Sequence, residues 1–225
     1  MTRTLRPLAL LLILVAVGCS TPRAATQAPP GNTAKWEKEI TAFEARDKTN
    51  PPPKGAILFV GSSSIRFWTN LAKAFPDKQV INRGFGGSEI SDSIALADRI
   101  IFPYQPRLIV FYAGNNDIAN GKSPERVIAD FKTFLKLVHA KLPRTRVAYI
   151  SIHPNPARWH LKDQVEAANQ AISGIKDKRF TFIDIWHPML GEDGKPRPEL
   201  FRPDKLHMNE QGYAIWTSII RPYLE

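Results

Sequence analysis

Cysteine is nearly absent from this sequence, which contains a single one, Cys19. One thiol cannot form an intramolecular disulfide, so a folded domain must depend on a buried apolar core rather than on cross-links. The chain has 225 residues, of which 43% are hydrophobic. That length and composition suit one globular domain with a short additional segment.

The sequence also lacks any long run of residues of one charge sign. The formal net charge is +10, but the basic residues are scattered and form no stripe interleaved with stacking aromatic residues. A nucleic-acid-binding surface would need such a stripe, so we predict no nucleic-acid partner. A positive surface near anionic lipid or polysaccharide is compatible with the same charge.

No apolar run is long enough to cross a membrane. The longest extends from Leu8 to Val17, follows Arg3 and Arg6, and ends just before Cys19, whereas a transmembrane helix needs about 20 apolar residues. A basic start followed by a short apolar core is typical of a secretory signal. We therefore predict a signal peptide over residues 1–18.

The position of Cys19 resembles that in a bacterial lipoprotein signal, in which the cysteine becomes the lipid-modified first residue. That resemblance implies export to the bacterial cell envelope and a lipid anchor in a membrane. Ala16 stands where such signals usually have leucine. Ordinary cleavage near Ala24 and Ala25, or near Ala28, is the alternative and would give a soluble periplasmic or secreted protein.

Residues 19–32 are rich in Thr, Ala, Pro and Gly, so we predict a flexible tether beginning at the lipid-modified cysteine. The predicted domain covers residues 33–225 and begins with a helix over residues 33–48. Three large apolar residues lie on one stripe of that helix: Trp36, Ile40 and Phe43. The stripe favours packing against the domain, and a membrane-surface helix is the alternative.

Apolar, β-rich runs alternate with helical patterns from Ala56 onwards. Five runs are predicted as strands: Ile57–Val60, Gln79–Asn82, Leu108–Ala113, Arg146–Ile152 and Phe180–Ile185. They are almost continuously apolar, as strands covered on both faces are. Strand–helix alternation predicts an α/β fold, a three-layer α/β/α domain with about five parallel strands.

Two of the helical patterns are predicted with particular features. One predicted helix has four apolar residues on a shared face: Ile90, Ile94, Ala97 and Ile101. The last predicted helix follows Asn209, whose side chain is suited to cap it.

Polar residues follow three of the predicted strands. Residues 62–64, three serines, follow the first strand, and the loops 84–87 and 115–117 follow the next two. Because the C-terminal ends of parallel strands lie along one edge, where ligands bind, we expect these loops to converge. A serine on a sharp strand-to-helix turn is a candidate nucleophile, and a serine-rich capping turn is the alternative.

An aspartate and a histidine, Asp204 and His207, lie just before the last helical pattern. An aspartate three residues ahead of a histidine can hydrogen-bond the imidazole and fix its tautomer. The histidine can then accept a proton from a serine. A loop carboxylate beside an ordinary surface histidine is the alternative.

Four short motifs follow one another along the chain: G-S-S-S at 61–64, N-R-G-F-G-G-S at 82–88, G-N-N-D at 114–117 and D-K-L-H at 204–207. Together they resemble the motifs of the SGNH hydrolases, also called the GDSL esterase/lipase family. The resemblance spans Ala56 to Tyr223. It implies a flavodoxin-like three-layer fold and a hydrolase that cleaves carboxylic esters through an acyl-enzyme.

The resemblance also implies roles by position in the motifs. Ser63 would be the nucleophile, His207 its base and Asp204 the residue that orients the base. Three adjacent serines make Ser63 an inference from the register of the motif. The loss of Ser63 should abolish ester hydrolysis.

The oxyanion hole that the resemblance implies consists of the Gly87 N–H and the Asn116 amide, together with the N–H of the nucleophile. Two positions depart from the usual motifs. Ser62 and Ser88 stand where many family members have aspartate, and neither belongs to the implied triad. We predict that the Ser62 hydroxyl points back into its turn and hydrogen-bonds the backbone.

Residues that follow the fourth strand are candidates for substrate binding. His153 and Trp159 could form a wall of the acyl or alcohol pocket, and a proline-rich loop with a packed tryptophan is the alternative. His153, His187 and His207 lack the spacing typical of metal ligands. We predict no metal and no other cofactor.

Two further function classes are compatible with the sequence. An acyltransferase would pass the same acyl group to a sugar or lipid acceptor, and a non-catalytic lipoprotein would only bind acylated glycans or lipids. The expected partner is a small-molecule, glycan or lipid ester. Neither the ester nor the oligomeric state follows from the sequence.

Overall fold

The computed structural model describes residues 33–225. The predicted signal peptide, Cys19 and the predicted tether lie outside the described residues. Within residues 33–225, none of the helices is both long enough and apolar enough to cross a membrane.

A single parallel sheet organises the described part of the chain. Its strands, in chain order, are β1 (Ile57–Gly61), β2 (Val80–Gly84), β3 (Leu108–Tyr112), β4 (Arg146–Ile150) and β5 (Phe180–Ile183). Their order across the sheet is β2-β1-β3-β4-β5, and every neighbouring pair is parallel. The five predicted strands are confirmed, with ends within two residues of the predicted ones.

The register of the sheet aligns the C-terminal ends of β1, β2 and β3. Gly61 at the end of β1 pairs with Gly84 of β2 on one side and with Tyr112 of β3 on the other. The loops that leave these strands therefore begin side by side, and the edge they share is where the candidate groups were expected to meet.

Nine α-helices are described: α1 (Glu37–Thr49), α2 (Ser63–Arg66), α3 (Leu71–Ala74), α4 (Ile90–Ala95), α5 (Ala97–Ile100), α6 (Asn115–Ala119), α7 (Pro124–Lys141), α8 (Lys162–Ser173) and α9 (Glu210–Ile220). Helices α1, α4, α5, α7 and α8 pack on one face of the sheet, and α2, α3 and α9 pack on the other. Alternate side chains of β1 enter the two cores, because Leu58 and Val60 belong to one and Ile57 and Phe59 to the other. The three-layer prediction is confirmed.

The helix predictions differ from the structure in two places. The helix predicted over residues 33–48 begins as a 3₁₀ turn, Thr33–Trp36, before α1, and its predicted stripe is buried in the core. The helix predicted through Ile90 and Ile101 is interrupted at Leu96, whose backbone (φ −98°, ψ 3°) separates α4 from α5. The predicted cap of α9 is confirmed, since the Asn209 side chain accepts hydrogen bonds at the start of that helix.

Candidate active site

The turn from β1 into α2 exposes one serine. Gly61 has a φ of +140°, and a Cβ there would lie 1.8 Å from the Tyr112 carbonyl oxygen, so only glycine fits. Ser62 is extended and its N–H donates to that carbonyl at 3.0 Å. Helix α2 begins at Ser63, which is half-buried, while Ser62 and Ser64 are buried.

Ser63 lies against the histidine that the sequence singled out. Its Oγ is 3.0 Å from His207 Nε2, although the two residues are 144 positions apart in the chain. His207 Nδ1 is 2.7 Å from Asp204 Oδ2. The three side chains therefore form one continuous hydrogen-bonded chain.

The backbone of the Asp204 turn holds the carboxylate in place. Asp204 Oδ1 accepts the N–H groups of Leu206 and His207, each at 2.9 Å. Burial acts to raise the pKa of Asp204, but the hydrogen bonds from His207 and Leu206 outweigh it and lower the pKa to about 2. An ionised Asp204 requires a proton on Nδ1, which leaves Nε2 free to accept the Ser63 hydroxyl proton.

The Phe67 side chain packs against His207, and the Arg202 side chain packs against Phe67 in turn. Phe67 meets the imidazole edge to face, with ring centroids 4.8 Å apart. The Arg202 guanidinium lies 4.9 Å from the centre of the Phe67 ring, and its Nε donates to the Met208 carbonyl. These contacts restrict the orientation of the histidine ring.

Asn116, on the first turn of α6, lies beside the same cavity as Ser63. Its Nδ2 donates to the Ser88 carbonyl oxygen at 3.0 Å, which ties the loop after β3 to the loop after β2. Its Oδ1 accepts from Arg158 Nη1 at 3.0 Å. The amide thus has one N–H engaged by the protein and a second that can face a ligand.

The cavity at Ser63 is small, with a volume of about 10 Å³. Six of its lining residues come from four segments of the chain: Ser63, Tyr112, Asn116, His153, Arg158 and His207. The Tyr112 hydroxyl is buried and has no hydrogen-bond partner among the described residues. Tyr112 and Arg158 were not predicted as site residues, although Arg158 lies in the same loop as His153 and Trp159.

A family model matches the part of the chain that contains these residues. Residues 55–215 match the model of the GDSL-like Lipase/Acylhydrolase family. The chain belongs to the GDSL-like lipase/acylhydrolase family. Membership implies a hydrolase, and the family resemblance predicted from the sequence is confirmed.

Several solved structures share the fold at low sequence identity. A structure from Streptococcus pneumonia has a TM-score of 0.74 and 19% identity, covering 86% of this chain and 94% of that one. A GDSL-like lipase from Bacteroides thetaiotaomicron VPI-5482 has a TM-score of 0.68 and 20% identity, covering 86% and 97%. An acetyl-xylooligosaccharide esterase mutant from Geobacillus Stearmophilus has a TM-score of 0.61 and 13% identity, covering 77% and 95%. No curated protein matches the chain.

The glycine loop of the GDSL-like domain lies next to the turn that contains Ser63, since the Phe85 N–H donates to the Gly61 carbonyl at 2.9 Å. Gly87 is exposed and has a φ of +70°. The loop is held by Trp36, whose Nε1 donates to the Gly86 carbonyl at 2.7 Å. Ser88 is fully buried and donates to the Phe85 carbonyl at 2.9 Å. The role of the Gly87 N–H as an oxyanion donor stays a prediction.

The Ser62 hydroxyl differs from its prediction. Ser62 stands at the N-cap position of α2, but within the described residues its side chain makes no capping hydrogen bond. The backbone N–H of Ser62 bonds to β3 instead. The turn is therefore fixed by Gly61 and by the sheet, without help from this hydroxyl.

A buried ionic cluster lies behind Asn116. Asp117 is completely buried and accepts from Lys122 Nζ at 2.9 Å and from the Ile90 N–H at 3.3 Å. Lys122 also contacts Asp130 and Glu89, at 2.8 and 2.9 Å. Burial raises the pKa of Asp117 to about 6, although Lys122 opposes the shift. The cluster joins the loop that contains Asn116 to the start of α4.

His153 and Trp159 have different surroundings. His153 is buried, stacks on Tyr112 at 5.5 Å and lines the cavity. Burial lowers the pKa of His153 to about 4, so its ring is neutral at pH 7. Trp159 stacks on Trp186 at 5.8 Å and does not line the cavity at Ser63 within the described chain. Substrate binding by either residue stays a prediction.

A second Asp-x-x-His turn was missed in the sequence. Asp184 and His187 follow β5, and Asp184 Oδ2 lies 2.5 Å from His187 Nδ1. Within residues 33–225, no three His, Cys, Asp or Glu side chains cluster as metal ligands would. The structure thus does not bring His187 together with His153 and His207 as a ligand set.

A larger groove of about 950 Å³ lies away from the serine, between α1 and the edge strand β2. Its polar groups are largely engaged with one another: Arg83 pairs with Asp47, and Arg66 with Glu39 at 2.7 Å. No histidine lines this groove within the described residues. The small cavity, rather than the large groove, therefore contains the candidate chemistry.

Proposed function

We propose that this protein is a serine ester hydrolase that acts through an acyl-enzyme on Ser63. The observation that supports it is the unbroken hydrogen-bonded chain from Asp204 through His207 to the Ser63 hydroxyl. An accessible nucleophile, a base and a carboxylate that fixes the tautomer of the base are the components of such a mechanism.

In the proposed reaction, Ser63 Oγ attacks the ester carbonyl carbon while its proton moves to His207 Nε2. The tetrahedral intermediate collapses, and His207 gives that proton to the departing alcohol. A water molecule then loses a proton to His207 and attacks the acyl-enzyme, which releases the acid and returns the proton to Ser63. Asp204 stays ionised throughout and stabilises the imidazolium.

The negative charge on the carbonyl oxygen would be met by the free N–H of the Asn116 amide and by the backbone N–H groups of Ser63 and Gly87. Donors of this kind matter because the charge develops in the transition state. The bond between Asn116 and the Ser88 carbonyl supports this assignment, since it holds the amide next to the glycine loop.

We propose an ester of a short acyl group, such as acetate, as substrate. The cavity at Ser63 is small, about 10 Å³, which favours a small acyl group over a long chain. One structurally similar protein is an acetyl-xylooligosaccharide esterase, which makes acetylated carbohydrate a reasonable class to test. The alcohol part would lie outside the cavity.

We also propose that the protein is exported and anchored through Cys19. The support comes from the sequence: Arg3, Arg6 and the apolar run that ends before the cysteine. Mass spectrometry of the mature protein should find Cys19 as a lipid-modified first residue. An unmodified N-terminus after Ala25 or Ala28 would contradict the anchor.

The hydrolase proposal can be tested on the purified protein with para-nitrophenyl esters of acetate, butyrate and octanoate. We expect turnover that falls with chain length, and labelling of Ser63 alone by a serine-directed phosphonate. Ser63→Ala should abolish both, whereas the neighbouring variants Ser62→Ala and Ser64→Ala should retain measurable turnover.

Either of two results would contradict the proposal. One is labelling of Ser62 or Ser64, and the other is hydrolysis that persists in Ser63→Ala. Transfer of the acyl group to an added sugar in preference to water would indicate an acyltransferase instead.

A further inference from the structure

The segment after β4 connects two parts of the candidate site. It is a 3₁₀ helix, Pro156–Leu161, capped by Asn155, whose side chain accepts the Arg158 N–H at 2.9 Å. The Ala157 N–H donates to the Lys205 carbonyl at 3.1 Å, inside the turn that contains Asp204 and His207. The segment is therefore fixed to the histidine side of the site by its backbone.

The Arg158 side chain reaches the opposite side. Its Nη1 donates to the Asn115 carbonyl at 3.2 Å, to Asn115 Oδ1, and to Asn116 Oδ1 at 3.0 Å. A guanidinium has donors only, so the Asn116 atom that faces it must be the oxygen. The amide nitrogen must then face the other way, towards Ser88 and the cavity.

The charge environment of this guanidinium is unusual. The acceptors of Nη1 are neutral oxygens, and within the described chain no Asp or Glu is paired with Arg158. Arg158 is only partly exposed and lines the cavity next to Ser63 and His207. A cation bonded to the carbonyl end of an amide polarises it and makes its N–H groups stronger donors.

We infer that Arg158 is a positioning residue for the oxyanion hole, which holds the Asn116 amide with its nitrogen towards the reacting carbonyl. The inference rests on the proposed hydrolase function. Arg158 acts through Asn116 and does not itself contact the reacting atoms. A direct role in binding an anionic group of the substrate is the competing assignment.

Arg158→Met, Asn116→Ala and the double variant test the inference on full-length protein with para-nitrophenyl acetate. We expect Arg158→Met to lower kcat by about tenfold to a hundredfold with little change in KM, because the lost interaction strengthens in the transition state. In the Asn116→Ala background the same substitution should change kcat by less than about threefold, since the two residues act as one unit. Arg158→Lys, which keeps a donor and a charge, should recover part of the loss.

The control for the lost charge is Lys162→Met, which removes an exposed cation at the start of α8. Its kcat should match that of the wild type. Equal effects of Arg158→Met with and without Asn116 would overturn the inference, as would a loss confined to the melting temperature. A KM rise seen only with a carboxylate-bearing ester, para-nitrophenyl hemisuccinate, would assign Arg158 to anion binding instead.

The inference can fail separately from the proposed function. Absence of hydrolysis in the wild-type protein would contradict the hydrolase proposal. The contact between Arg158 and Asn116 would then be tested by NMR signals of the Asn116 side-chain amide. Those signals are identified by their loss in Asn116→Ala. We expect two resolved amide protons with slow rotation in the wild type and their averaging in Arg158→Met. Unchanged signals in Arg158→Met would show that Arg158 does not position Asn116.

Discussion

Two Asp-x-x-His turns in this chain are alike in local geometry and differ in their surroundings. The carboxylate lies 2.7 Å from the imidazole in the Asp204–His207 turn and 2.5 Å in the Asp184–His187 turn. In both turns the aspartate also accepts N–H groups from the residues two and three positions later. Yet His207 Nε2 faces Ser63, and only 21% of its side chain is exposed, against 77% for His187.

Topology explains the difference. The Asp184 turn follows β5, which is three strands from β1 in the sheet, so it lies about 14 Å from the end of β1 at the usual strand spacing. The Asp204 turn belongs to the segment that returns across the sheet to α9. That helix is attached to the turn that contains Ser63 by Tyr213, whose hydroxyl donates to the Ser64 carbonyl at 2.9 Å.

The comparison shows what the motif supplies and what it does not. An Asp-x-x-His turn orients an imidazole through contacts that the turn itself contains. Whether that imidazole can act as a base depends on the group that tertiary packing places against Nε2. Within residues 33–225, only the Asp204 turn meets a hydroxyl there, and the proposed mechanism therefore uses that turn alone.

The largest expected difference concerns the two histidines. His207→Ala should lower kcat for ester hydrolysis by about 10⁴–10⁶, because the nucleophile loses its base. His187→Ala, the matched control, should keep wild-type kcat. Steady-state kinetics with an acetate ester measure both, and circular dichroism checks that each variant is folded. Equal activity of the two variants would remove the distinction between the turns.

Substitution of the two aspartates should also affect kcat differently, with a smaller loss than substitution of the histidines. Asp204→Asn should lower kcat by about 10³–10⁴, because the neutral amide no longer favours the tautomer with a proton on Nδ1. Asp184→Asn makes the same chemical change in the other turn and should leave kcat unaltered. If Asp204→Asn retained full activity, His207 would have to be oriented by other contacts, and Phe67 would be the first to test.

Sequence reasoning was strongest where the signal is local. The apolar runs of the sheet, the stripe of α1 and the cap at Asn209 depend on neighbours in the chain, and all three match the structure. The break at Leu96 was missed because an apolar stripe continues across a change of helix axis.

The site could be predicted only in part, because the contacts that form it join residues far apart in the chain. Both Asp-x-x-His patterns look the same locally, and the position of Asp204 and His207 just before the last helical pattern, together with the family resemblance, singled out that pair. Arg158 was missed because an arginine in a loop has no periodicity or spacing that marks it. Its role depends on contacts with Asn115 and Asn116, more than forty positions earlier in the chain.

A third prediction concerns the proposed oxyanion hole of the Asp204–His207 site, because Asn116 lies beside the Ser63 cavity. Asn116→Ala should lower kcat by roughly 10²–10³ with little change in KM, as expected for the loss of one transition-state donor. Asn120→Ala removes an exposed asparagine just after the same helix α6 and should have wild-type kinetics. A kcat unchanged in Asn116→Ala would mean that its amide points elsewhere, and Asn115 would need examination.

The smallest expected effect is on stability, and it depends on pH. The pKa of Asp204 is lowered to about 2 in the folded protein, against about 3.9 for an aspartate in an unfolded chain. The ionised carboxylate therefore stabilises the fold above about pH 4, and this contribution is lost as pH falls towards 2. Because 48% of the side chain is exposed, solvent screening should keep the contribution below about 1 kcal/mol.

Urea unfolding of the wild type and of Asp204→Asn at pH 6 and at pH 3 measures this contribution. We expect the substitution to lower the free energy of unfolding more at pH 6 than at pH 3, since part of the carboxylate's contribution is already lost at the lower pH. Asp184→Asn serves as the reference for removing one carboxylate from the same kind of turn. A loss for Asp204→Asn that is equal at both pH values, or larger at pH 3, would contradict the lowered pKa.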